Sequence, residues 1–483
     1  MIRIVPGIAH PLHDIAATRR IEERAAQALP ASSLMQRAGL ATARLALAIA
    51  PHARRVWVAC GPGNNGGDGL EAARQLKLRG LEPTVTWLGE PSRVPADAAL
   101  AWERAAAAGL ALAQHPPASF DLCIDALLGI GAQRPAAGAM ADWIVHMNAS
   151  GAPVLAIDVP TGLNADTGAI AGDAPAAFVR ATHTLSLLTL KPGLFNGHGR
   201  DAAGSVWFDY LAVADDTATS MWLNPHPSAR PRPHASHKGS HGDVAVIGGA
   251  PGMTGAALLA AQAALHAGAG RVFVTSLDPA FSGPMAGQPE PMFRSIDQLE
   301  LATLAVACGC GGGQAVHRVL PQVLSRAKAL VLDADALNAV AADSQLETLL
   351  RARGHRGAPT VITPHPLEAA RLLGISTRTV QADRLAAATS LAQRFDCVAV
   401  LKGSGTVIAL PDGRRWLNPT GNARLATAGT GDVLAGLVAA RLAGELPAAD
   451  AACVAVYEHG RIADEWPAST ALTASRLASA LQP

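Results

Sequence analysis

The stretch VWVACGPGNNGGDG, residues 56–69, decides the reading of this chain: an apolar run, a glycine-rich turn, then an alanine-rich helical stretch opening near Leu70. That succession predicts a parallel strand with a helical crossover. The same phrase recurs outward, at 122–125 and 154–158 in the first half. It stops over NPHPSARPRPHASHKGS, residues 224–240, where proline, serine and histidine replace apolar periodicity, as in a linker. It resumes at 244–248, 271–276, 304–308, 329–333, 360–363 and 397–402. We therefore expect an α/β protein: a Rossmann-like doubly wound sheet over residues 1–222, a linker over 223–236, and a second α/β domain over 237–483.

Composition agrees. A chain of 483 residues is too long for one ordinary core, and 47 glycines and 33 prolines can punctuate many short strands and helices. The formal charge of +1 offers no field to gather nucleic acid or an anionic membrane. Six cysteines stand without CxxC pairs, so neither a disulfide framework nor a zinc knuckle is indicated. No secretory start or membrane-length apolar run is present, and we expect a cytoplasmic protein. The halves carry different glycine motifs, which argues for a fusion of unlike units rather than a duplication.

In the first half, glycines at 61–69 let the backbone approach a phosphate, and amides at a helix start supply positive potential. A mere tight turn is the bland reading. Two further strands end in acids, Asp125 (followed by ALLGIG) and Asp158 (followed by VPTG). In parallel sheets ligands bind beyond the strands' carboxyl ends, so Asp68, Asp125, Asp158 and Thr161 are expected to converge, although strand-end aspartates also cap helices. Lys191, in LKPGLF, is either an acid/base group or a surface lysine.

In the second half come PEPM, CGCGGG, DADALN, TPHPLEAARLLG, LKGSGTVI and ATAGTGDVLAG, in that order from Pro289 to Gly436. Thr430 and Gly431 precede a helical pattern whose free amides can hold a phosphate. Asp432, in its first turn, is expected to stay ionised in the dipole field and to accept a hydroxyl proton; a simple cap is the alternative. Residues 402–406 read as a second anion-binding turn. Asp333 and Asp335 are expected on one face of a strand end, either reaching magnesium through water or capping. His234, His237 and His241 read as linker histidines rather than a metal site.

GPGNNGGDG, DALLGIG and DVPTG resemble the epimerase half of the NAD(P)H-hydrate repair family, and the later motifs resemble its ribokinase-like, ADP-dependent dehydratase half. Together the two likenesses cover nearly the whole chain. They imply that Asn64, Asn65, Gly66, Gly67 and Asp68 contact a hydrated nicotinamide nucleotide, as do Gly131, Ala132, Gln133, Arg134 and Pro135. Asp158 would touch it too, with acid/base work assigned to Asp158 or Lys191. Asn65, Asp125 and Thr161 would hold a potassium ion, an all-oxygen set suited to a hard cation.

In the second half the resemblance places Lys402, Gly403, Ser404, Gly405, Thr406 and Gly431 on the nucleotide. Ala256, Gly313, His365 and Asp432 would lie on the hydrate, with Asp432 catalytic and magnesium beside ADP. The implied activity equilibrates the R and S hydrates at C6, then phosphorylates the C6 hydroxyl of the S form and expels phosphate, ADP becoming AMP. Expected partners are these small molecules alone, without nucleic acid or membrane, in a homo-oligomer. The chain departs from the family's usual GPGLG at Gly309-Cys-Gly-Gly-Gly313, and from a usual glycine-methionine pair at Arg424-Leu425. A ribokinase-like kinase fused to a nucleotide-binding domain competes with this reading, as does a non-catalytic nucleotide sensor.

Overall fold

The computed structural model describes residues 1–131, 134–170, 178–214, 217–228, 232–281, 283 and 288–483. The chain forms two compact units, one of residues 1–5 and 10–219, the other of residues 6–9 and 220–483.

The first unit is built on seven strands: β1 (Ile2–Arg3), β2 (Val56–Cys60), β3 (Thr84–Trp87), β4 (Leu122–Ala126), β5 (Val154–Ile157), β6 (His183–Leu187) and β7 (Ser205–Asp209). They lie in the order β1-β7-β6-β5-β4-β2-β3, parallel except for β1. Strand β2 shows why both faces are covered. Val56, Val58 and Cys60 enter one buried cluster under the helices Ser33–Ile49 and Asn64–Lys77, while Trp57 and Ala59 enter another with Phe120 and Trp143. A strand buried on both sides must read as a continuous apolar run, as VWVAC does.

The second unit adds β8 (Met221–Leu223), β9 (Asp243–Gly248), β10 (Arg271–Ser276), β11 (Met292–Phe293), β12 (Ala305–Cys308), β13 (Ala329–Leu332), β14 (Thr360–Ile362), β15 (Val398–Leu401), β16 (Val407–Ala409) and β17 (Arg415–Leu417). Their order is β11-β10-β9-β12-β13-β14-β15-β16-β17-β8. Alanine-rich helices Thr254–His266 and Thr430–Ala443 pack on it and against each other, so closely that a Cβ at Gly436 would lie 2.0 Å from the Ala260 carbonyl oxygen. Among the described residues no helix is long and apolar enough to cross a membrane. All six cysteines are free thiols.

Two expectations shift. The boundary read at 222/223 differs from the division at 219/220, because Met221–Leu223 pairs with β17 in the second sheet and buries Met221 and Leu223. Three residues are too few to show a period. The first helix after β2 opens at Asn64, not near Leu70. Asparagine and glycine are poor helix formers, and tertiary packing overrides that preference here: a Cβ at Gly69 would sit 2.5 Å from Ala126 Cβ, and one at Gly66 1.9 Å from the Gly61 carbonyl oxygen. Much of the glycine run thus serves close helix–strand approach.

In each sheet the strand order reverses once, between β2 and β4 and between β9 and β12. Such reversals open a crevice beyond the strands' carboxyl ends.

Candidate functional site

In the first unit that crevice is a cleft of about 540 Å³. Asn64, Asn65, Asp68, Gly131, Asp158 and Lys191 all line it. Gly66 and Gly67 do not; they are buried against Gly61 and Met35, for the packing reason just given. Arg134 and Pro135 are exposed and away from the lining, so of the expected loop only Gly131 reaches the cleft; Ala132 and Gln133 lie outside the described residues.

Asp158 follows β5 in a left-handed conformation (φ 66°), a backbone state that short polar side chains tolerate and that concentrates at functional sites. The ammonium of Lys191, whose side chain is fully buried, pairs with Asp158 Oδ1 and also donates to the Leu187 carbonyl at 2.6 Å. The surface reading of Lys191 is therefore set aside. Asp68 has no hydrogen-bond or ion-pair partner among the described residues. Burial first, then the carboxylates of Asp158, Glu22, Asp97 and Glu71, hold its pKa well above the ordinary 3.8.

Asp125 and Thr161 lie fully buried beneath the cleft. Thr161 donates from its amide to Asp125 Oδ2 (2.9 Å) and from its hydroxyl to Oδ1 (2.7 Å). No lysine or arginine pairs with Asp125 among the described residues, and burial pushes its pKa up to about 6. Asn65 and Thr161 meet the same short segment after β4: the Leu128 amide donates to Thr161 Oγ1 at 3.0 Å, and a Cβ at Gly129 would lie 3.4 Å from Asn65 Cβ. The Asn65 amide nitrogen, buried, has no hydrogen-bond partner among the described residues.

No motif announced Thr18, Arg19 and Glu22, on the helix Ile15–Ala28, or Asp97. They sit on the wall of the cleft facing the glycine-rich helix. The only sequence signal was an amphipathic period, whose buried face is Ala17, Thr18, Ile21 and Ala25.

In the second unit Asp432, Lys402, Asp333 and Cys310 converge. Lys402 Nζ donates to Asp333 Oδ1 at 2.6 Å. Ligand atoms of Cys310, Asp333 and Asp432 all lie within 4.8 Å of one another. A Cβ at Gly431 would come within 3.4 Å of Lys402 Nζ. The lysine thus turns into the site rather than lying open in the 402–406 turn, because a buried ammonium requires a carboxylate. Gly403 and Ser404 are exposed, Gly405 is buried, and Thr406 Oγ1 donates to the Gly403 carbonyl.

Burial, then the neighbouring Asp333 carboxylate, push the pKa of Asp432 up to about 6, which still leaves it mostly ionised at neutral pH. Contrary to expectation, Asp333 and Asp335 do not share a strand face. Ala334 (φ 50°) turns the chain into the helix Asp335–Ala342, so Asp333 meets Lys402 while Asp335 Oδ2 accepts from the Gly313 amide at 2.8 Å.

Ala256 and Gly313 border one glycine turn: a Cβ at Gly311 would lie 2.9 Å from Ala256 Cβ. His365 caps the helix Pro366–Leu373, its Nδ1 accepting from the amides of Leu367 and Glu368. Its proton therefore sits on Nε2, 3.2 Å from Glu368 Oε1. Burial lifts Glu368 to about 7. Arg424 donates to the Trp466 carbonyl at 2.8 Å, and Thr430 Oγ1 to that of Leu425. His237 caps the turn Lys238–His241.

Comparison with known proteins bears on both clefts. Residues 244–483 match the family model described as NAD(P)H-hydrate dehydratase, and residues 31–193 that of the YjeF-related protein N-terminus. The chain is 38% identical to the bifunctional NAD(P)H-hydrate repair enzyme of Escherichia coli (strain K12), over 95% of this chain and 90% of that protein. It is 37% identical to the enzyme of that name from Coxiella burnetii, over 89% of each. Among solved structures, an ADP/ATP-dependent NAD(P)H-hydrate dehydratase from Bacillus subtilis, co-crystallized with ATP and Mg2+, is 33% identical with a TM-score of 0.42. That likeness covers 51% of this chain and 90% of the other.

Proposed function

The chain belongs to the family of bifunctional NAD(P)H-hydrate repair enzymes, an epimerase joined to a dehydratase, and from that premise we propose how its residues divide the work. The first cleft takes the hydrated nicotinamide nucleotide, with Asn64, Asn65, Asp68 and Gly131 on the substrate and the Asp158–Lys191 pair at the reacting carbon. The second site takes ADP and the S hydrate.

The observation that carries the reading of the second site is the cluster around Asp432. Its carboxylate stands at a helix start where amides can hold a phosphate, with the Lys402 ammonium close by. Asp432 accepts the C6 hydroxyl proton as the oxygen attacks the terminal phosphorus of ADP and AMP departs. Phosphate then leaves C6 far more readily than hydroxide does, the ring-nitrogen lone pair assisting, and loss of a proton from C5 forms the C5=C6 double bond of the reduced ring. Lys402 offsets charge building on the transferred group. Ala256, Gly313 and His365 face the hydrate, and residues 403–406 with Gly431 hold the nucleotide.

Two ions fit the residues present. For potassium, the fit lies in a buried carboxylate with no lysine or arginine paired to it among the described residues (Asp125) and the Thr161 hydroxyl bound to it, with the side-chain oxygen of Asn65 as the third donor. The ion would supply the charge that keeps Asp125 ionised. For magnesium, Asp333, whose carboxylate groups with that of Asp432, is the residue to hold it through water. A bound ion there neutralises charge between donor and acceptor.

The test mixes both hydrate epimers with the protein, ADP, magnesium and potassium, and follows the absorbance of the reduced nicotinamide. Complete conversion with free phosphate is expected. Conversion halting at about half of the epimer mixture would remove the epimerase. A stable phosphate ester would favour a kinase instead.

A further inference from the structure

Resting on the epimerase reading of the first cleft, we propose that Asp68 and Asp158 are its acid and base, Asp68 entering each conversion of one epimer as a neutral carboxylic acid and Asp158 as a carboxylate. The two acids are held in opposite ways. Asp158 accepts from the Lys191 ammonium and from the Leu187 amide, donors that keep a negative charge in place. Asp68 lines the same cleft with no donor or cation bound to it among the described residues, and strand β4 lies between the strands from which the two depart.

The charged groups that act most strongly on Asp68 all favour its proton. Asp158, Glu22 on the helix Ile15–Ala28, Asp97 in the first turn of the helix Ala96–Ala107, and Glu71 one turn along its own helix are all carboxylates. Of the cations lining the cleft, Lys191 is committed to Asp158, and Arg19 reaches toward Gly131, its Nη2 3.6 Å from where a Cβ there would stand. Burial, acting in the same direction, raises the pKa of Asp68 well above 3.8. A carboxyl group pushed toward its proton and a second one paired with an ammonium give one cleft a proton donor and a proton acceptor.

The step balances without an oxidant or co-reactant. Asp68 gives its proton to the C6 hydroxyl as the C6–O bond breaks; the ring-nitrogen lone pair forms a C=N double bond, and water departs. Water then adds to the other face of C6, the electron pair returns to nitrogen, and the released proton passes to Asp158. The enzyme is left with its proton moved from Asp68 to Asp158, the state that performs the reverse conversion.

The experiment uses the full chain without ADP, the single S hydrate as probe, and product epimers resolved chromatographically. Asp68→Asn is expected to lower kcat by about 100-fold or more with KM changed less than about three-fold, in line with loss of a general acid. Asp68→Glu is expected to retain measurable turnover. Wild-type kcat/KM is expected to fall as pH rises through the Asp68 pKa, and in Asp68→Asn that alkaline fall disappears. In H2 18O the R product gains 18O. Dehydration of the S hydrate with ADP by the same preparations reports that the chain is intact. A kcat within about three-fold of wild type in Asp68→Asn, a raised KM alone, or product without 18O would overturn the assignment while leaving the epimerase reading standing. A wild-type chain that dehydrates the S hydrate yet never interconverts the epimers would sink the epimerase reading itself.

Discussion

Potassium should stabilise the first unit in a pH-dependent way, through Asp125. In the folded chain without an ion this carboxyl is raised from 3.8 to about 6, chiefly by burial. A displacement of that size corresponds to about 3 kcal/mol. The sign follows from proton linkage. Below 3.8 the carboxyl is neutral in folded and unfolded chains alike, and its contribution to stability is fully present. That contribution is lost progressively as pH rises through about 6, where the folded chain must carry a buried, uncompensated charge. A cation beside Asp125 reverses the loss, so potassium matters most where the carboxyl would otherwise be ionised at a cost. At pH 8, saturating potassium should recover up to about 3 kcal/mol, or about 6–12 °C in the Tm of a unit this size. At pH 5, where roughly one Asp125 in ten is ionised, the apparent affinity should be about ten-fold weaker. The assay is thermal unfolding of the full chain in potassium or tetramethylammonium chloride at matched ionic strength, at pH 5 and pH 8. Equal stabilisation at both pH values, or none at pH 8, refutes the reasoning, as does an unchanged potassium response in Asp125→Asn.

Asp432→Asn should abolish recovery of the reduced nicotinamide, by about 1000-fold or more, while epimer interconversion measured in the same tube stays at the wild-type rate. Lys402→Met leaves Asp333 buried and unpaired; removing one member of such a pair costs about 3–5 kcal/mol, and calorimetry should place that loss in the second unit's transition, with KM for ADP raised. Gly66→Ala forces a Cβ to 1.9 Å from a carbonyl oxygen, so the first unit should lose about 3 kcal/mol or more; wild-type stability to urea would mean the helix start is not where we place it.

What the sequence made legible follows from the range of the interactions involved. Strand β2 stands within the bounds read from its apolar run, because burial on both faces writes itself into consecutive residues. Strand β6, His183–Leu187, passed unread, since HTLSL mixes polar side chains whose burial is satisfied by distant partners such as the Ala203 carbonyl on Thr184. The acids at strand ends were visible, but their states were not. The partner of Asp158 is Lys191 and one of the carboxylates that favour the proton of Asp68 is Glu22, and both lie tens of residues away on other elements. The Lys402–Asp333 contact spans 69 residues of chain and has no local signature. Glu22 belongs to no motif and precedes the matched family region that begins at residue 31.

Strand β8 bears on how this gene can be divided in evolution. The second sheet ends on Met221–Leu223, three residues aligned with Arg415–Leu417 and carrying Trp222 against Trp416 at 5.7 Å between ring centroids. A lineage that broke the reading frame inside the proline-rich stretch would inherit a dehydratase half with β17 bare, its row of unpaired amides and carbonyls free to recruit a neighbouring chain. Fission at residue 219 would avoid this. Descendants carrying the two activities on separate polypeptides should therefore either keep those three residues with the second half or have evolved a replacement for them.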